Sequence, residues 1–242
     1  MNSVFRTMLD ICYRVESVFD RRFLSRDVPT SGSTVDWERK LLNLQDWRGS
    51  RVLEVGSREV VQGSTLREDF SGSEYVGFDY YPGRNVDVMG DAHRLSSYFD
   101  EGERFDLVYS SACFEHFAMP WIVASEIAKV LNVGGTVFIV THFSFSSHER
   151  PWHFFHFTDM ALKALFSEAL GFECIEATLS NPIVGRFSSL ADRRLRYKQV
   201  RGMYCHSQYL GRKVRDVPDF SWDRIGLHDV VGDTKYPEPK AA

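Results

Sequence analysis

Short apolar runs alternate with segments of helical periodicity along this chain, and most of the runs end in a polar or glycine-containing turn. Such runs, bounded by turn residues, are typical of buried β-strands. The pattern predicts strands at 52–55, 75–78, 86–88, 105–110 and 136–141, with final strand candidates at 172–179 and 203–213. Helical spacing predicts helices at 37–44, 121–131 and 158–170, the last with Thr158 as N-cap and Gly171 after its end. The alternation predicts an α/β fold with a mostly parallel, doubly wound sheet.

The N-terminal segment has its own helical pattern. Apolar side chains recur at helical spacing, at Val4, Met8, Cys12, Val15 and Phe19. This predicts an amphipathic helix that packs on the domain or on a second subunit, so a homodimer through this helix is one expected arrangement. A helix lying on a membrane surface or closing over the substrate is the alternative interpretation.

Composition shifts divide the chain into a helical extension at 1–44, a main domain at 45–215 and a C-terminal tail at 216–242. Within the tail, the proline-containing residues 236–242 are expected to be disordered. The arginine-containing segment 182–201 is interpreted as an insertion between the last two strands that covers the substrate side. The segment 58–70 is not predicted to be helical, because Gly63 interrupts it.

Charge and cysteine content narrow the class of protein. The formal net charge of -4 over 242 residues and the lack of a long basic run argue against a nucleic-acid partner. The 4 cysteines are far apart, which favours free thiols in a reducing compartment, so we expect a cytoplasmic protein. No apolar stretch approaches the ~20 residues that span a bilayer, so no membrane association is expected.

A glycine turn and an acidic strand end indicate an adenosine-type cofactor. Glu54 and Gly56 end the first strand, and Asp79 ends the second, where it can accept hydrogen bonds from ribose hydroxyls. A nicotinamide cofactor would need Gly-x-Gly-x-x-Gly at this turn, but its second and third glycines are absent. S-adenosylmethionine carries no phosphate, so a single glycine suffices, and Glu54 suits its cationic groups. Arg58 is unexpected at a turn that faces a cationic ligand; it could instead anchor the methionine carboxylate.

The motifs in order resemble those of class I S-adenosylmethionine-dependent methyltransferases over about residues 45–180. Five segments carry the resemblance: Val52-Leu53-Glu54-Val55-Gly56-Ser57, Asp79, Gly90-Asp91-Ala92, Phe105 to Ser110 with the following Phe114-Glu115-His116, and Val130 to Gly135. The resemblance implies a Rossmann-like fold with seven strands, the last of them antiparallel. It implies S-adenosyl-L-methionine as the cofactor. The cofactor-binding residues expected on this basis are Glu54, Gly56, Ser57, Asp79, Tyr80, Asp91, Ala92 and Ser110.

A second segment resembles a narrower branch of the same family. Residues 148–158 resemble the pattern His-x-x-Pro-Trp-Asp-Phe-Trp-Arg-Phe-Thr, with His153 in place of the Asp and His156 in place of the Arg. The branch is associated with surface-sugar and secondary-metabolite pathways. We interpret His148 and His153 as catalytic candidates, since an imidazole of near-neutral pKa suits removal of a hydroxyl proton. The expected substrate-binding residues are His116, His142, Trp152 and His156.

Each of these histidines also has a structural interpretation, as a hydrogen-bonded loop residue on an aromatic platform. His148, His153 and His156 could bind a divalent metal, but no carboxylate pattern supports this, and no metal is expected.

The expected function is methyl transfer from S-adenosylmethionine to a hydroxyl of a small molecule, such as a sugar-linked compound or a secondary metabolite. N-methylation of an amino sugar is the alternative within enzymes. A catalytically silent, methyltransferase-like binding subunit is the alternative from another class. A nicotinamide oxidoreductase is disfavoured by the missing glycines.

Overall fold

The computed structural model describes residues 3–24, 29–60, 63 and 65–231. The predicted disorder of 236–242 lies outside these residues. The strands are β1 (Arg51–Val55), β2 (Glu74–Asp79), β3 (Val88–Met89), β4 (Phe105–Ser111), β5 (Leu131–His142), β6 (Phe172–Arg186) and β7 (Gln199–Lys213). The helices are α1 (Ser3–Ser17), α2 (Thr34–Leu42), α3 (Pro120–Val130), α4 (Asp159–Leu165) and α5 (Leu227–Val231), with single 3₁₀ turns between some elements.

All seven strands form one sheet in the order β3-β2-β1-β4-β5-β7-β6. The pairs among β1 to β5 are parallel, whereas β7 runs antiparallel to both β5 and β6. The predicted Rossmann-like, mostly parallel sheet with an antiparallel last strand is therefore confirmed. Because the strand order reverses between β1 and β4, the segments that follow these two strands pack on opposite faces of the sheet and leave the crevice in which such sheets bind ligands.

Two strand predictions need correction. The third strand is Val88–Met89, only partly overlapping the predicted 86–88. The segment 182–201 is not a separate insertion, because β6 continues to Arg186 and β7 begins at Gln199, and the two pair along nearly their whole length. Side chains alternate between partly buried and exposed from Asn181 onward, as expected for a two-stranded ribbon extending beyond the sheet. Only residues 187–198 connect the strands.

Local signals fix the helix ends. The side chain of Ser33 accepts a hydrogen bond from the Asp36 amide, and the Asp36 carboxylate accepts one from the Ser33 amide, which caps α2. Thr158 caps α4 as predicted, but α4 ends at Leu165, and a separate 3₁₀ turn follows before Gly171 with φ 91°. No helix forms between β1 and β2 within the described residues 56–60, 63 and 65–73, in agreement with the prediction for 58–70.

The core has one apolar cluster on each face of the sheet. Alternating side chains of β1 point to opposite faces, so Leu53 packs with α3 and α4 while Val52 packs on the α2 side. On that second face Trp37 is fully buried and stacks on Phe138, with ring centroids 5.5 Å apart. Burial of such side chains contributes about 1.5–3 kcal/mol each, so α2, although part of the predicted extension 1–44, stabilises the sheet directly.

The predicted N-terminal helix is confirmed as α1. Its side chains Met8, Ile11 and Val15 are exposed. The homodimer through this helix stays a prediction. None of the helices within the described ranges combines the length and the apolar content that crossing a bilayer requires.

Candidate functional site

The glycine turn after β1 lies close against β4 and β2. Gly56 has φ 89°, and a Cβ there would lie 2.5 Å from the Cys113 Sγ, so only glycine fits. The amides of Gly56 and Ser57 both donate to the Phe78 carbonyl, at 2.9 and 3.1 Å. The Ser57 hydroxyl is buried and has no hydrogen-bond partner among the described residues. The turn therefore brings a small, close-packed surface with one unsatisfied hydroxyl to the carboxyl edge of the sheet.

Glu54 is nearly fully buried at the end of β1. The Tyr75 hydroxyl and the Asn85 Nδ2 donate to the same carboxylate oxygen, the latter at 3.0 Å. Burial raises the pKa of Glu54 to about 7, although these hydrogen bonds oppose the rise. The Asn85 amide also donates to the Ser57 carbonyl at 3.0 Å, so it ties the carboxylate to the glycine turn.

Asp79 at the end of β2 is held by the same turn. Its carboxylate accepts hydrogen bonds from the Arg58 amide at 3.1 Å and the Tyr81 amide at 3.0 Å. The two side chains also form an ion pair, in which the Arg58 Nε lies 3.6 Å from the Oδ1 of Asp79. Tyr80 is largely exposed beside it and packs edge-on against the Tyr81 ring. Arg58 therefore pairs with the acid that the sequence analysis assigned to the ribose.

Asp91 begins a 3₁₀ segment after β3 and caps it. Its carboxylate accepts from the His93 amide at 2.9 Å and lies 2.7 Å from the His93 Nδ1. Burial would raise the pKa of Asp91, but the hydrogen bonds from His93 outweigh it and lower the pKa. Ala92 is buried beside it. The predicted residue Ser110 is fully buried in β4, where its hydroxyl donates to the Val55 carbonyl at 2.7 Å and joins the two central strands.

Six of the eight histidines of the chain form one cluster at the other half of this edge. The ring of His148 is central, with centroids 4.4 Å from His153, 5.0 Å from His116 and 5.2 Å from His142. His156 follows at 4.9 Å from His153, and His206 of β7 lies 5.4 Å from His142. The structure thus brings together all the histidines that the sequence analysis assigned to catalysis and substrate binding.

A buried carboxylate lies beneath this histidine cluster. Glu115 is fully buried; one of its oxygens accepts from the Thr141 hydroxyl at 2.6 Å, and the other lies 2.8 Å from the His142 Nδ1. That second approach is not aligned for a hydrogen bond, and neither atom has another hydrogen-bond partner within the described residues. Burial favours a raised pKa for Glu115, but His142 and Thr141 outweigh it and lower the pKa.

Two histidines of the cluster, His153 and His156, have lowered pKa values. Burial lowers the pKa of His153, and the neighbouring His148, His156 and His116 rings lower it further. Burial and then His142 lower the pKa of His156. Uncharged imidazoles offer lone pairs, so the cluster can accept protons or bind a metal ion.

Partly exposed aromatic side chains surround the cluster. Trp152 is mostly exposed, and its carbonyl accepts from the His116 Nδ1 at 2.9 Å. Phe145 stacks on His142 with centroids 4.5 Å apart. Phe154 and Phe155 are partly exposed, and their amides donate to the Glu115 carbonyl, which fixes this loop over the cluster.

Sequence analysis missed several residues of the site. Glu115 was noted only as part of a motif, and its adjacency to His116 was the available signal. Tyr75 and Asn85 give no such signal, because their contacts with Glu54 depend on how β2 and the following loop pack. His206 faces His142 through the β5–β7 register, which local sequence does not reveal.

Comparison with known sequences identifies the class of protein. The sequence model of a family described as a methyltransferase domain matches residues 35–177, which is more than half of the chain. The chain therefore belongs to this methyltransferase domain family. No curated protein matches the sequence.

Solved structures agree on the fold. YcgJ from Bacillus subtilis is 17% identical, with a TM-score of 0.51 over 73% of this chain and 97% of that one. A protein from Bacillus halodurans is 18% identical, with a TM-score of 0.53 over 76% and 100%. A SAM-dependent methyltransferase from Archaeoglobus fulgidus is 16% identical, with a TM-score of 0.50 over 81% and 98%. At these identities the likeness shows the fold alone.

Proposed function

We propose that this protein transfers a methyl group from S-adenosylmethionine to a hydroxyl oxygen of a small molecule, such as a sugar-linked compound or a secondary metabolite. One observation carries the proposal. The glycine turn and the acids Asp79 and Asp91 lie at one half of the carboxyl edge of the sheet, and the histidine cluster lies at the other. A methyltransferase needs these two neighbouring functions, a nucleoside site and a place to orient and deprotonate an acceptor.

The residues at the first half fit the cofactor. Asp79 would accept hydrogen bonds from the ribose, Asp91 and Ala92 would contact the adenine, and the unsatisfied Ser57 hydroxyl offers a polar contact beside the turn. Glu54 supplies negative charge near the cationic methionine end when it is ionised. When bound, S-adenosylmethionine supplies an electrophilic methyl group on a good sulfur leaving group.

The chain then has to align the acceptor and accept its proton. With the cofactor bound, the acceptor oxygen would take the methyl group while the electron pair of the carbon–sulfur bond stayed on sulfur, so the chain's own task is to hold that oxygen in line and remove its proton. The hydroxyl proton would be taken up within the histidine cluster, where burial lowers the pKa of His153 and so favours the ring form that can accept a proton. His148 and His153 are the candidates for this step, with His116, His142, Trp152 and His156 lining the acceptor site.

Calorimetry with S-adenosylhomocysteine tests the cofactor assignment. The wild-type chain should bind this ligand and not NAD. Asp79→Ala should weaken binding by ~1.5–3 kcal/mol, because it removes hydrogen bonds to a charged group. Asp100→Ala, in the turn before β4 at the opposite edge, is the matched control and should leave the affinity unchanged. Binding of NAD instead, or equal affinities of the two variants, would contradict the proposal.

To test the acceptor class, the release of S-adenosylhomocysteine is measured in the presence of S-adenosylmethionine and, in turn, each of a panel of hydroxylated compounds and amino sugars. Turnover with amino sugars alone would favour N-methylation. One observation favours the non-catalytic alternative, since Arg58 pairs with the acid that the ribose needs. Cofactor binding without turnover on any acceptor would support that alternative.

A further inference from the structure

The histidine cluster combines features that proton transfer alone does not require. Several imidazoles converge around His148, and a fully buried carboxylate lies behind them. One nitrogen from each of His142, His148 and His153 lies within 4.8 Å of the others. A single general base would need one such ring, and extra rings at this distance oppose each other's protonation.

The ring nitrogens of His148 are assigned by its hydrogen bond. Its Nδ1 lies 3.0 Å from the Ser146 carbonyl oxygen, and a carbonyl carries no hydrogen, so Nδ1 is the donor. The lone pair of neutral His148 is therefore on Nε2. A ring held by a backbone carbonyl in this way matches the usual outer contacts of a metal-ligating histidine.

His142 has an equivalent outer contact. Its Nδ1 faces the Glu115 carboxylate at 2.8 Å, which leaves the Nε2 lone pair available in the neutral ring. Carboxylate–histidine–metal arrangements have this form. His142 and Glu115 are both more than nine-tenths buried, and their facing atoms have no aligned hydrogen bond within the described residues. The two side chains therefore face each other, but the described residues supply no aligned hydrogen bond to either facing atom.

His153 contributes a buried nitrogen without a partner. Its Nε2 is inaccessible to solvent and has no hydrogen-bond partner in the described part of the chain. Its Nδ1 accepts a long hydrogen bond from the His148 amide at 3.4 Å, so metal binding through Nε2 would move the ring hydrogen to Nδ1 and give up this one weak contact. An unpaired buried polar atom is costly, so this nitrogen calls for a ligand that the protein does not provide.

We propose that His142, His148 and His153 bind a divalent transition-metal ion, with Glu115 orienting His142 as an outer partner. Imidazole nitrogens suit zinc, nickel, iron or copper, whereas magnesium and calcium prefer oxygen ligands. Three histidine ligands with a fourth position open are typical of catalytic zinc sites. From the sequence alone no metal is expected, because no carboxylate pattern supports one; the structure adds Glu115, which comes from a different element just after β4.

The role of the ion at this place rests on the proposed function. An ion held by these histidines would lie beside the proposed acceptor site, where it would favour ionisation of a coordinated hydroxyl. His148 and His153 would then act through the ion rather than take the proton themselves. Metal binding is measured without cofactor or acceptor, so its failure and the failure of methyl transfer are distinguishable.

The test uses the full chain without a histidine tag, freed of metal with a chelator and titrated with Zn²⁺, Co²⁺ or Mg²⁺ in a calorimeter. We expect one Zn²⁺ or Co²⁺ ion per chain and no Mg²⁺ binding. The absorption spectrum of the Co²⁺ form should be that of a tetrahedral site. His148→Ala and His153→Ala should each weaken Zn²⁺ binding at least about 100-fold, and Glu115→Gln by about 10–100-fold. Zn²⁺ should raise the Tm of the wild type but not of His148→Ala, whose unliganded Tm reports that it folds.

His228→Ala, in the short exposed helix α5, is the matched control and should bind Zn²⁺ like the wild type. Equal binding by His148→Ala and His228→Ala, or no binding at one ion per chain, would overturn the proposal. Glu115, His116 and His148 form an overlapping group of donor atoms within the same 4.8 Å. If His116→Ala abolished binding while His153→Ala did not, the proposed ligand set would be wrong and the ion would belong to that second group.

Discussion

Replacing Glu54 by glutamine should make the protein more stable at alkaline pH. Burial raises the pKa of this carboxyl from 4.5 to about 7 in the folded chain, so folding favours its protonated form. Below the unfolded value both states are protonated and the stability is greatest. As pH rises from about 4.5 to about 7 the unfolded chain ionises first, so stability is lost; above 7 the loss is complete.

The size of this effect follows from the difference between the two pKa values. A gap of about 2.5 at ~1.4 kcal/mol for each pH unit sets an upper figure of about 3 kcal/mol. Glutamine is neutral at every pH, and its carbonyl oxygen can accept the same hydrogen bonds from Tyr75 and Asn85. We therefore expect the free energy of unfolding of Glu54→Gln to be ~1–3 kcal/mol higher than that of the wild type at pH 8. The difference should be much smaller near pH 5.

Urea unfolding of the cofactor-free chain between pH 5 and 8.5 measures this difference. Glu101→Gln, on the exposed turn before β4, serves as a control and should change stability by less than ~0.5 kcal/mol. The reasoning fails if the Glu54→Gln difference is constant over this range. It also fails if the stability of the wild type increases relative to that of the variant as pH rises, because the folded chain would then favour the ionised carboxylate.

Two further substitutions test contacts elsewhere in the structure. Arg58→Ala should strengthen binding of S-adenosylhomocysteine about 2- to 5-fold in calorimetry, because a partly exposed ion pair worth up to ~1 kcal/mol no longer competes for Asp79; weaker binding would show that the guanidinium contacts the cofactor. Lys213→Met should lower the free energy of urea unfolding by ~2–4 kcal/mol, because the buried ammonium donates to the carbonyls of Ala128 and Leu131 at 2.6 and 2.7 Å. Lys198→Met, at an exposed lysine in the loop between β6 and β7, is its control, and equal losses would refute a special role for the buried amine.

The strands that carry the candidate cofactor residues could be predicted because their signals are local. β1, β2 and β4 are short apolar runs, and Glu54, Gly56 and Asp79 come at their ends. Parallel strands place these ends on one edge whatever the details of packing, so a correct strand order suffices to bring them together. The cap at Thr158 is equally local.

The remaining features depend on contacts between distant segments. The length of the β6–β7 ribbon follows from pairing across the hairpin, and neither strand alone is apolar enough to indicate it. Lys213 could not be predicted to be buried, because its carbonyl partners come from the end of α3 and the start of β5. Likewise, the proximity of Glu115 to His142 requires β4 and β5 to be neighbours in register.

The packing of α2 has a consequence for where this enzyme fold begins. Between β1 and β2 the described chain makes turns, and Trp37 and Leu41 cover the sheet surface on that side. A shortened chain that starts at residue 45 would therefore expose the rings of Phe138 and Tyr109 to water. We therefore expect a stable recombinant fragment to need α2 and its Ser33 cap, so a fragment meant for crystals or binding studies should start upstream of that serine.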